Sequence, residues 1–233
     1  MPDHRQVRRF YDDEYYASES HPSVVPWHMR RVATRLGLSK VDSVLDIACG
    51  TGDWLAELQR QGATVSGIDI SARAVARAQQ RLPDADVREG VAEKLPFDSR
   101  QFDLVTCMGS LEHFLDQPRA LQEMRRVAKP GARFLILVPN AGFLTRRLGW
   151  YGGTGQVAIR ETVRPIREWT EMFDAAGLDV QAKWRDLHPL SRHWICRGPA
   201  WTWLPRAAQA GALVFWPIQW QYQVYFLCQA ESA

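Results

Sequence analysis

Short apolar runs alternate with amphipathic segments between residues 43 and 138. Brief apolar runs predict buried strands, whereas apolar positions three and four residues apart predict helices. This alternation is typical of strands joined by crossover helices, so we predict a doubly wound α/β fold with a mostly parallel sheet. The predicted strands are 43–48, 64–68, 86–88, 104–108 and 133–138, and the predicted helices are 53–61, 72–81 and 117–127.

The second half of the chain has a less regular pattern. A Lys-Pro-Gly turn at 129–131 is predicted to end the third helix. The Gly- and Arg-bearing stretch 140–164 is long for a loop in a compact domain, which favours a functional role. After it we predict a helix at 166–176 and two closing strands at 178–185 and 220–228, the latter from its β-prone WQYQVYFLC run.

Length and composition narrow the possible classes of protein. A chain of 233 residues suits one domain, 1–233, better than two. A formal net charge of +3 without a dense basic stripe predicts no nucleic-acid partner. Four scattered cysteines form no zinc or disulfide pattern, so we predict no metal site and a cytoplasmic protein. The charged start predicts no cleaved secretion signal, and no apolar segment is long enough to span a bilayer.

The stretch VLDIACGTG at 44–52 combines a buried strand, a Gly-containing turn and the start of a helix. Open α/β sheets bind nucleotide-like ligands at such places, outside the carboxyl ends of the strands. Gly50 and Gly52 are predicted to let the backbone approach the ligand where a side chain would collide. Asp69 lies seventeen residues past Gly52, in GIDIS, where an acid at a strand end can accept both hydroxyls of a ribose.

The spacing of the glycines indicates which nucleotide-like ligand is bound. A dinucleotide fingerprint has a further glycine three residues after the second, but Leu55 stands there. Asp46, at the end of the first strand, would repel a pyrophosphate but would support the amino group of an amino-acid ligand, directly or through water. We therefore predict S-adenosylmethionine as the cofactor.

DIACGTG and GIDIS resemble motif I and the acidic loop of the class I S-adenosylmethionine-dependent methyltransferases. The resemblance continues through GVAEKLPF at 90–97, FDLVTCMGSLEHF at 102–114 and the tract 120–140. This order of motifs is similar to the branch that contains the ubiquinone and menaquinone C-methyltransferases and many small-molecule methyltransferases. The resemblance covers 41–140, and it implies a seven-stranded Rossmann-like sheet with an antiparallel last strand.

The same resemblance implies contacts to the cofactor. Relatives carry Asp-Ala-Glu before Leu-Pro-Phe, with the Asp accepting from the adenine amino group, whereas this chain has Val91 at that position. Backbone groups of Ala92 and Glu93 are then the expected adenine contacts, and the segment 108–110 is expected to flank the amino-acid part. The predicted cofactor-binding set is Asp46, Ala48, Gly50, Gly52, Asp69, Ile70, Ala92, Glu93, Met108 and Tyr15.

Two titratable residues follow the fourth strand in SLEHF. His113 faces the expected substrate side and is the candidate general base, although a His here can instead pack or bond to nearby backbone. Glu112 is expected to be exposed or to cap a helix. Cys49 is expected to be a small buried residue rather than a nucleophile, because methyl transfer needs no covalent intermediate.

Aromatic residues crowd the N-terminal segment 1–40. Tyr11, Tyr15, Tyr16 and Trp27 predict a helical lid over the cofactor, with Tyr15 as the expected contact. The alternative is a helix that packs its aromatic face on the core.

The tail has an unusual composition. Six of the ten tryptophans lie from Trp184 onward, and no acidic residue occurs between Asp186 and Glu231. The Trp- and Pro-rich insertion 187–217 is predicted to rest at a lipid interface, to wall a pocket for an anionic, partly apolar substrate, or to form a packed cap or dimer face. Four arginines of the preceding loop favour the anionic substrate: Arg146, Arg147, Arg160 and Arg164.

These patterns predict an enzyme that moves a methyl group from S-adenosylmethionine to a small-molecule or lipid-linked acceptor by in-line displacement. The domain is predicted to comprise the lid 1–40, a cofactor-binding core 41–140 and a substrate-side part 141–233. Two alternatives stay open: a Rossmann-type, nucleotide-dependent oxidoreductase, and a non-catalytic cofactor-binding protein. The acceptor atom (carbon, oxygen or nitrogen) and the oligomeric state are open as well.

Overall fold

A seven-stranded sheet in the order β3-β2-β1-β4-β5-β7-β6 forms the centre of the computed structural model. The structure describes residues 3–17, 25–39, 42–147, 149, 161–196 and 198–230. Strands β1 to β5 pair in parallel, and β7 pairs antiparallel with both β5 and β6. The strands are β1 Ser43–Ile47, β2 Thr64–Asp69, β3 Asp86–Glu89, β4 Phe102–Met108, β5 Ala128–Pro139, β6 Leu178–Arg185 and β7 Gln223–Ala230. The predicted α/β sheet with an antiparallel last strand is therefore confirmed.

Helices connect the parallel strands and cover both faces of the sheet, as the amphipathic segments predict. Ser71 caps α4 by accepting from the backbone N–H of Ala74 at 3.1 Å, and Asp116 caps α5 through Arg119 at 3.0 Å. The strand order reverses between β1 and β4, which opens a crevice at their carboxyl ends. The helices are α1 His4–Phe10, α2 Trp27–Leu36, α3 Asp53–Arg60, α4 Ala72–Arg81, α5 Gln117–Val127, α6 Leu144–Arg147, α7 Ile166–Ala175, α8 Arg192–Ile195 and α9 Trp203–Phe215.

The core on one face of the sheet fixes the ends of β5 and α7. Trp169 of α7 is fully buried, stacks with Phe173, and donates its indole N–H to the Pro139 carbonyl at 2.8 Å. Phe173 in turn meets Phe226 of β7 edge-on, with ring centroids 5.1 Å apart. This packing holds the carboxyl end of β5 next to that of β4, where the crevice lies.

Two predicted boundaries are wrong. The sequence predicts a turn at 129–131, but β5 already begins at Ala128, and the extra residues are accommodated by a register shift. Phe102 pairs with Ala128 whereas Leu104 pairs with Arg133, so local Pro and Gly mark a bulge rather than a strand boundary. The second wrong boundary is the start of the last strand. β7 begins three residues later than predicted, because 218–220 form a 3-10 turn after Pro217.

The N-terminal segment and the insertion flank the sheet. A π-helical segment, Tyr11–Tyr15, continues α1, and α8 and α9 lie in the insertion between β6 and β7. Within the described ranges, none of the helices combines the length and apolar character needed to cross a membrane. Nor do the described His, Cys, Asp and Glu side chains form a group of three or more suited to a metal ion.

Candidate functional site

A cleft with about 620 Å³ of empty space lies at the carboxyl ends of β1, β2 and β4. Its walls come from the lid, from the strand ends and from the turn after β4. The lining residues are His4, Val7, Tyr11, Tyr16, Ile47, Ala48, Ile68, Asp69, Ile70, Gly90, Val91, Ala92, Glu93, Ser110, His113, Phe114 and Leu115.

Asp69 ends β2 and forms part of the cleft wall. Its carboxylate accepts the backbone N–H of Gly50 at 2.8 Å and of Ser71 at 2.9 Å. Burial raises the pKa of the carboxyl, while the two backbone donors act in the opposite direction. A carboxylate has about four acceptor sites, so Asp69 keeps capacity for donors from a ligand while it holds the turn after β1.

The turn after β1 is left-handed at several residues. Ala48 has φ +58°, Gly50 has φ +56° and Gly52 has φ +78°. A Cβ on Gly50 would lie 2.9 Å from the Tyr16 hydroxyl, so the missing side chain leaves room for the lid tyrosine. A Cβ on Gly52 would instead meet Ala78 of α4 and Leu82 just after it, and the cofactor contact predicted for Gly52 stays a prediction. Gly52 therefore lets α4 approach the turn and serves packing.

We expect Gly52→Ala to destabilise the fold more than Gly37→Ala. Both glycines have left-handed φ, but nothing lies within 4 Å of a Cβ at Gly37, whereas Ala78 and Leu82 lie 3.2 Å from one at Gly52. The φ penalty is about 1–2 kcal/mol at either site, and crowding adds roughly 1–3 kcal/mol at Gly52. Urea unfolding of the two variants measures the difference, and equal losses would contradict the packing role.

Asp46 lies behind the turn, outside the cleft lining. It accepts the Thr106 hydroxyl at 2.6 Å, and Thr106 accepts the indole N–H of Trp54 at 3.2 Å. Burial raises the pKa of Asp46 to about 7. Asp46 is only 2% exposed, and its predicted contact with the cofactor, direct or through water, stays a prediction.

Glu93 lines the cleft, but its carboxylate also holds two other elements in place. One oxygen accepts the backbone N–H groups of Leu115 at 3.0 Å and Asp116 at 3.2 Å. The other oxygen lies 3.3 Å from the His4 ring of α1. Ala92 lines the same wall, and the Glu93 side chain links the lid to the turn after β4.

Residues 3–17 are the part of the predicted lid 1–40 that borders the cleft, and they close over it through contacts along their length. Arg8 forms an ion pair with Glu89 at 2.7 Å, and Asp12 accepts the Ser71 hydroxyl at 2.6 Å. These contacts fasten the lid to the carboxyl end of β3 and to the start of α4.

The lid tyrosines are arranged differently from the sequence prediction. Tyr15 is 42% exposed and does not line the cleft, whereas Tyr11 and Tyr16 do. Burial, and then the nearby Asp69 carboxylate, raise the pKa of the Tyr16 hydroxyl well above its usual value. The π-helical segment shifts the periodicity of the lid, so the ideal 3.6-residue spacing does not identify Tyr16.

The turn after β4 carries Ser110 and His113 into the cleft lining. The backbone N–H of His113 donates to the Ser110 carbonyl at 3.0 Å, which closes the short 3-10 turn. Met108 is partly buried against the core and is not part of the cleft lining, and its predicted contact with the cofactor stays a prediction. Ser110 is therefore the member of 108–110 that reaches the cleft.

The prediction for Glu112 is wrong, since its side chain is only 3% exposed. Within the described residues, one carboxyl oxygen of Glu112 has no hydrogen-bond partner. Burial raises its pKa to about 8. In the 3-10 turn Leu111–His113, the side chain of Glu112 is buried and His113 lines the cleft. The position of both residues just after a strand does not reveal which of the two is buried.

We expect Glu112→Gln to gain stability relative to the wild type as the pH rises from 5 to 8. The folded chain holds a proton on Glu112 up to about pH 8, whereas the unfolded chain releases it near pH 4.5, so wild-type stability falls across this window. The relative gain should be at least about 1 kcal/mol, the equivalent of one pKa unit.

Urea unfolding at pH 5 and pH 8 measures this gain, with Glu171→Gln, on an exposed residue of α7, as the matched control. An equal stability difference at both pH values would contradict the inward placement of a protonated Glu112.

The remaining predicted residues have local roles. Arg164 donates to the Gln117 side chain at 3.0 Å and lies 3.7 Å from Glu168, so it is not directed into the cleft. Arg146 and Arg147 are exposed, and Arg160 lies outside the described residues. Cys49 is buried, and burial raises the pKa of its thiol well above the ordinary value, as expected for a packing residue.

Comparison with known proteins places these features in a family. A sequence profile described as "Methyltransferase domain" matches residues 45–136. The demethylmenaquinone methyltransferase of Beutenbergia cavernae is 31% identical over 170 residues, which cover 67% of this chain and 71% of the relative. The ubiquinone biosynthesis O-methyltransferase of Paracidovorax citrulli is 32% identical over 174 residues, with 66% and 71% coverage. The chain spans less of other curated relatives, 40% to 50% of the length of two demethylmenaquinone methyltransferases.

Solved structures share the fold over nearly the whole chain. A chain in the complex of the Haloferax volcanii Trm112 methyltransferase activator with a methyltransferase superposes with a TM-score of 0.75. It is 23% identical and covers 97% of this chain and 98% of its own length. Taken with the two relatives that are covered over 71% of their length, these similarities show that the chain belongs to the class I S-adenosylmethionine-dependent methyltransferases, in the branch of the quinone methyltransferases.

Proposed function

We propose that this protein transfers the methyl group of S-adenosylmethionine to a quinone-type small molecule, most readily in its reduced, hydroxyl-bearing form. The observation that carries the proposal is the buried Asp69 carboxylate in the wall of a 620 Å³ cleft beneath an aromatic lid. The quinone-type acceptor is supported by the names of the two relatives, a demethylmenaquinone methyltransferase and a ubiquinone biosynthesis O-methyltransferase.

The described residues fit the cofactor in several respects. Asp69 has acceptor capacity for the ribose hydroxyls, and the apolar side chains of Ile70 and Ala92 border the space beside it. Ala92 and Glu93 line the cleft, where their backbone groups are proposed to contact the adenine, and Ala48 lines it on the side proposed for the amino-acid part. The cofactor supplies an activated methyl group on a sulfonium, so the protein has no need to form a covalent bond.

The contribution of the protein is then orientation and exclusion of water. Holding donor and acceptor in line can contribute about 7–11 kcal/mol. The closed lid and the apolar wall formed by Val7 and Phe114 keep water from the reacting groups. His113 lines the cleft and is proposed to accept the proton that the acceptor loses, from a phenolic oxygen or from a ring carbon.

The lipid-linked form of the acceptor is supported by the apolar surface of the insertion, described below. The anionic form has less support, because Arg164 is engaged with Gln117 and Glu168. The oxidoreductase alternative is not favoured: Leu55 occupies the position of the third glycine and is fully buried in the core.

Two measurements test the proposed function. Titration calorimetry should show saturable binding of S-adenosylhomocysteine, and absence of binding would refute the cofactor assignment. With methyl-labelled S-adenosylmethionine and a reduced prenylated benzoquinone or naphthoquinone, mass spectrometry should detect a product heavier by one methyl group. Cofactor binding without transfer to these quinols or to any component of a cell extract would support the non-catalytic alternative instead.

A further inference from the structure

Helix α9, Trp203–Phe215, presents an apolar side chain or glycine at every position of its outward face. The outward positions recur three and four residues apart, which is the spacing of one helical face. In a surface helix this face is normally polar, so α9 is inverted with respect to the usual pattern. The exposed residues of this face are Leu204, Ala207, Ala208, Gly211 and Phe215.

The exposure of the large side chains is unusually high. Phe215 is 86% exposed, Leu204 is 82% exposed and Trp201, just before the helix, is 79% exposed. Contiguous apolar patches of this kind mark interaction sites in soluble proteins. We refer to Trp201 and the five outward positions of α9 as the α9 face.

The inner side of α9 carries a charged side chain, Arg206, whereas the α9 face carries none. Arg206 donates to the Trp194 carbonyl at 2.7 Å and lies over the Trp194 ring, 5.1 Å from its centroid. Ala210 is buried, and Arg185 donates to the Val214 carbonyl at 2.8 Å near the end of the helix. These contacts hold α9 in one orientation, so the exposure of the α9 face follows from the tertiary packing of the helix.

The titratable residues exposed next to the α9 face are basic. No acidic residue occurs between Asp186 and Glu231, whereas Arg192 and His193 are exposed on α8, which packs against α9. Basic residues near a membrane surface are attracted to anionic lipid, and apolar side chains add the free energy of burial between the headgroups. Indole rings such as that of Trp201 favour the headgroup depth.

We propose that the α9 face docks peripherally on an anionic lipid bilayer, with the helix lying parallel to the surface. A bilayer is favoured over a protein partner because the face offers no polar side chain to specify one, and protein interfaces are rimmed by specific hydrogen bonds. The inference rests on the proposed function in one respect: access to a lipid-linked acceptor is the reason for the protein to dock on a membrane. Docking itself needs no turnover.

The test is flotation of the full chain with phosphatidylcholine vesicles, with and without about one third phosphatidylglycerol, at low salt. The wild type should float with the anionic vesicles. Leu204→Glu combined with Phe215→Glu should reduce the bound fraction at least tenfold, because two charges then face the lipid. The matched control is Gln59→Glu with Gln80→Glu, which adds the same charge at exposed positions of α3 and α4 and should float as the wild type does.

Three results would overturn the proposal. The first is no flotation of the wild type, and the second is undiminished flotation of the α9 variant. The third is a wild type that binds no vesicles but forms a dimer in light scattering, while the variant Leu204→Glu with Phe215→Glu is a monomer. That result would make the α9 face a contact between copies of the chain. Calorimetry with S-adenosylhomocysteine on the same variants separates these results from failure of the proposed function, since cofactor binding should be unchanged.

Discussion

Replacing Asp69 with alanine is expected to raise the Kd for S-adenosylhomocysteine at least about 100-fold, which corresponds to roughly 2.7 kcal/mol. Two hydroxyl donors to a carboxylate contribute roughly 1.5–3 kcal/mol each. The carboxylate also holds the backbone of Gly50 and Ser71 in place, so its removal loosens the turn that borders the cofactor. Titration calorimetry measures the affinity directly.

Two variants sharpen the interpretation of this result. Asp69→Asn keeps the shape and one acceptor oxygen, so its affinity should lie between those of the wild type and Asp69→Ala. Asp84→Ala removes an exposed acid from the loop between α4 and β3 and should leave the affinity unchanged. Wild-type affinity in Asp69→Ala would show that the ribose is bound elsewhere.

His113→Ala is expected to lower kcat by about a hundred- to ten-thousand-fold, the range for loss of a general base. The Kd for S-adenosylhomocysteine should stay within a fewfold of the wild-type value, because the proposed role of the ring is proton transfer from the acceptor. The measurement is turnover of a reduced quinone with methyl-labelled S-adenosylmethionine, alongside calorimetry of the same preparation.

Comparing the change in kcat with the change in the Kd for S-adenosylhomocysteine decides the role of His113. Gln80→Ala, at an exposed position of α4, is the control and should retain the wild-type kcat. If His113→Ala instead loses cofactor affinity at unchanged kcat, the ring has a structural role in the turn after β4. Partial recovery of turnover in His113→Ala by added imidazole would support proton transfer.

Much of the fold follows from local pattern. The alternation of apolar runs and amphipathic segments predicts β1 to β4 and helices α3 to α5 within a few residues. Boundaries depend on weaker signals, and the Pro and Gly at 129–131 were compatible with both a turn and a bulge. Pairing with β4 decided between them, because a long-range partner can continue a strand through residues that disfavour it locally.

Some residues of the candidate site could be predicted from the sequence, and others could not. Asp69, Ala92 and Glu93 lie at or just after strand ends and line the cleft, so motif and topology together place them there. Which lid tyrosine reaches the cleft depends on a π-helical segment, and no residue in the sequence marks that segment clearly. Likewise, the inward side chain of Glu112 depends on how the turn after β4 packs.

The sequence by itself determined the sheet, the type of cofactor and the acid expected to bind the ribose, because these depend on short spacings and on strand-end positions that every chain of this pattern shares. Only the tertiary structure decided that Gly52 serves packing against α4, that Tyr16 rather than Tyr15 closes the cleft, and that α9 turns its apolar face outward. The physical reason is that periodicity defines the faces of an element, whereas packing against distant residues decides which of those faces remains exposed.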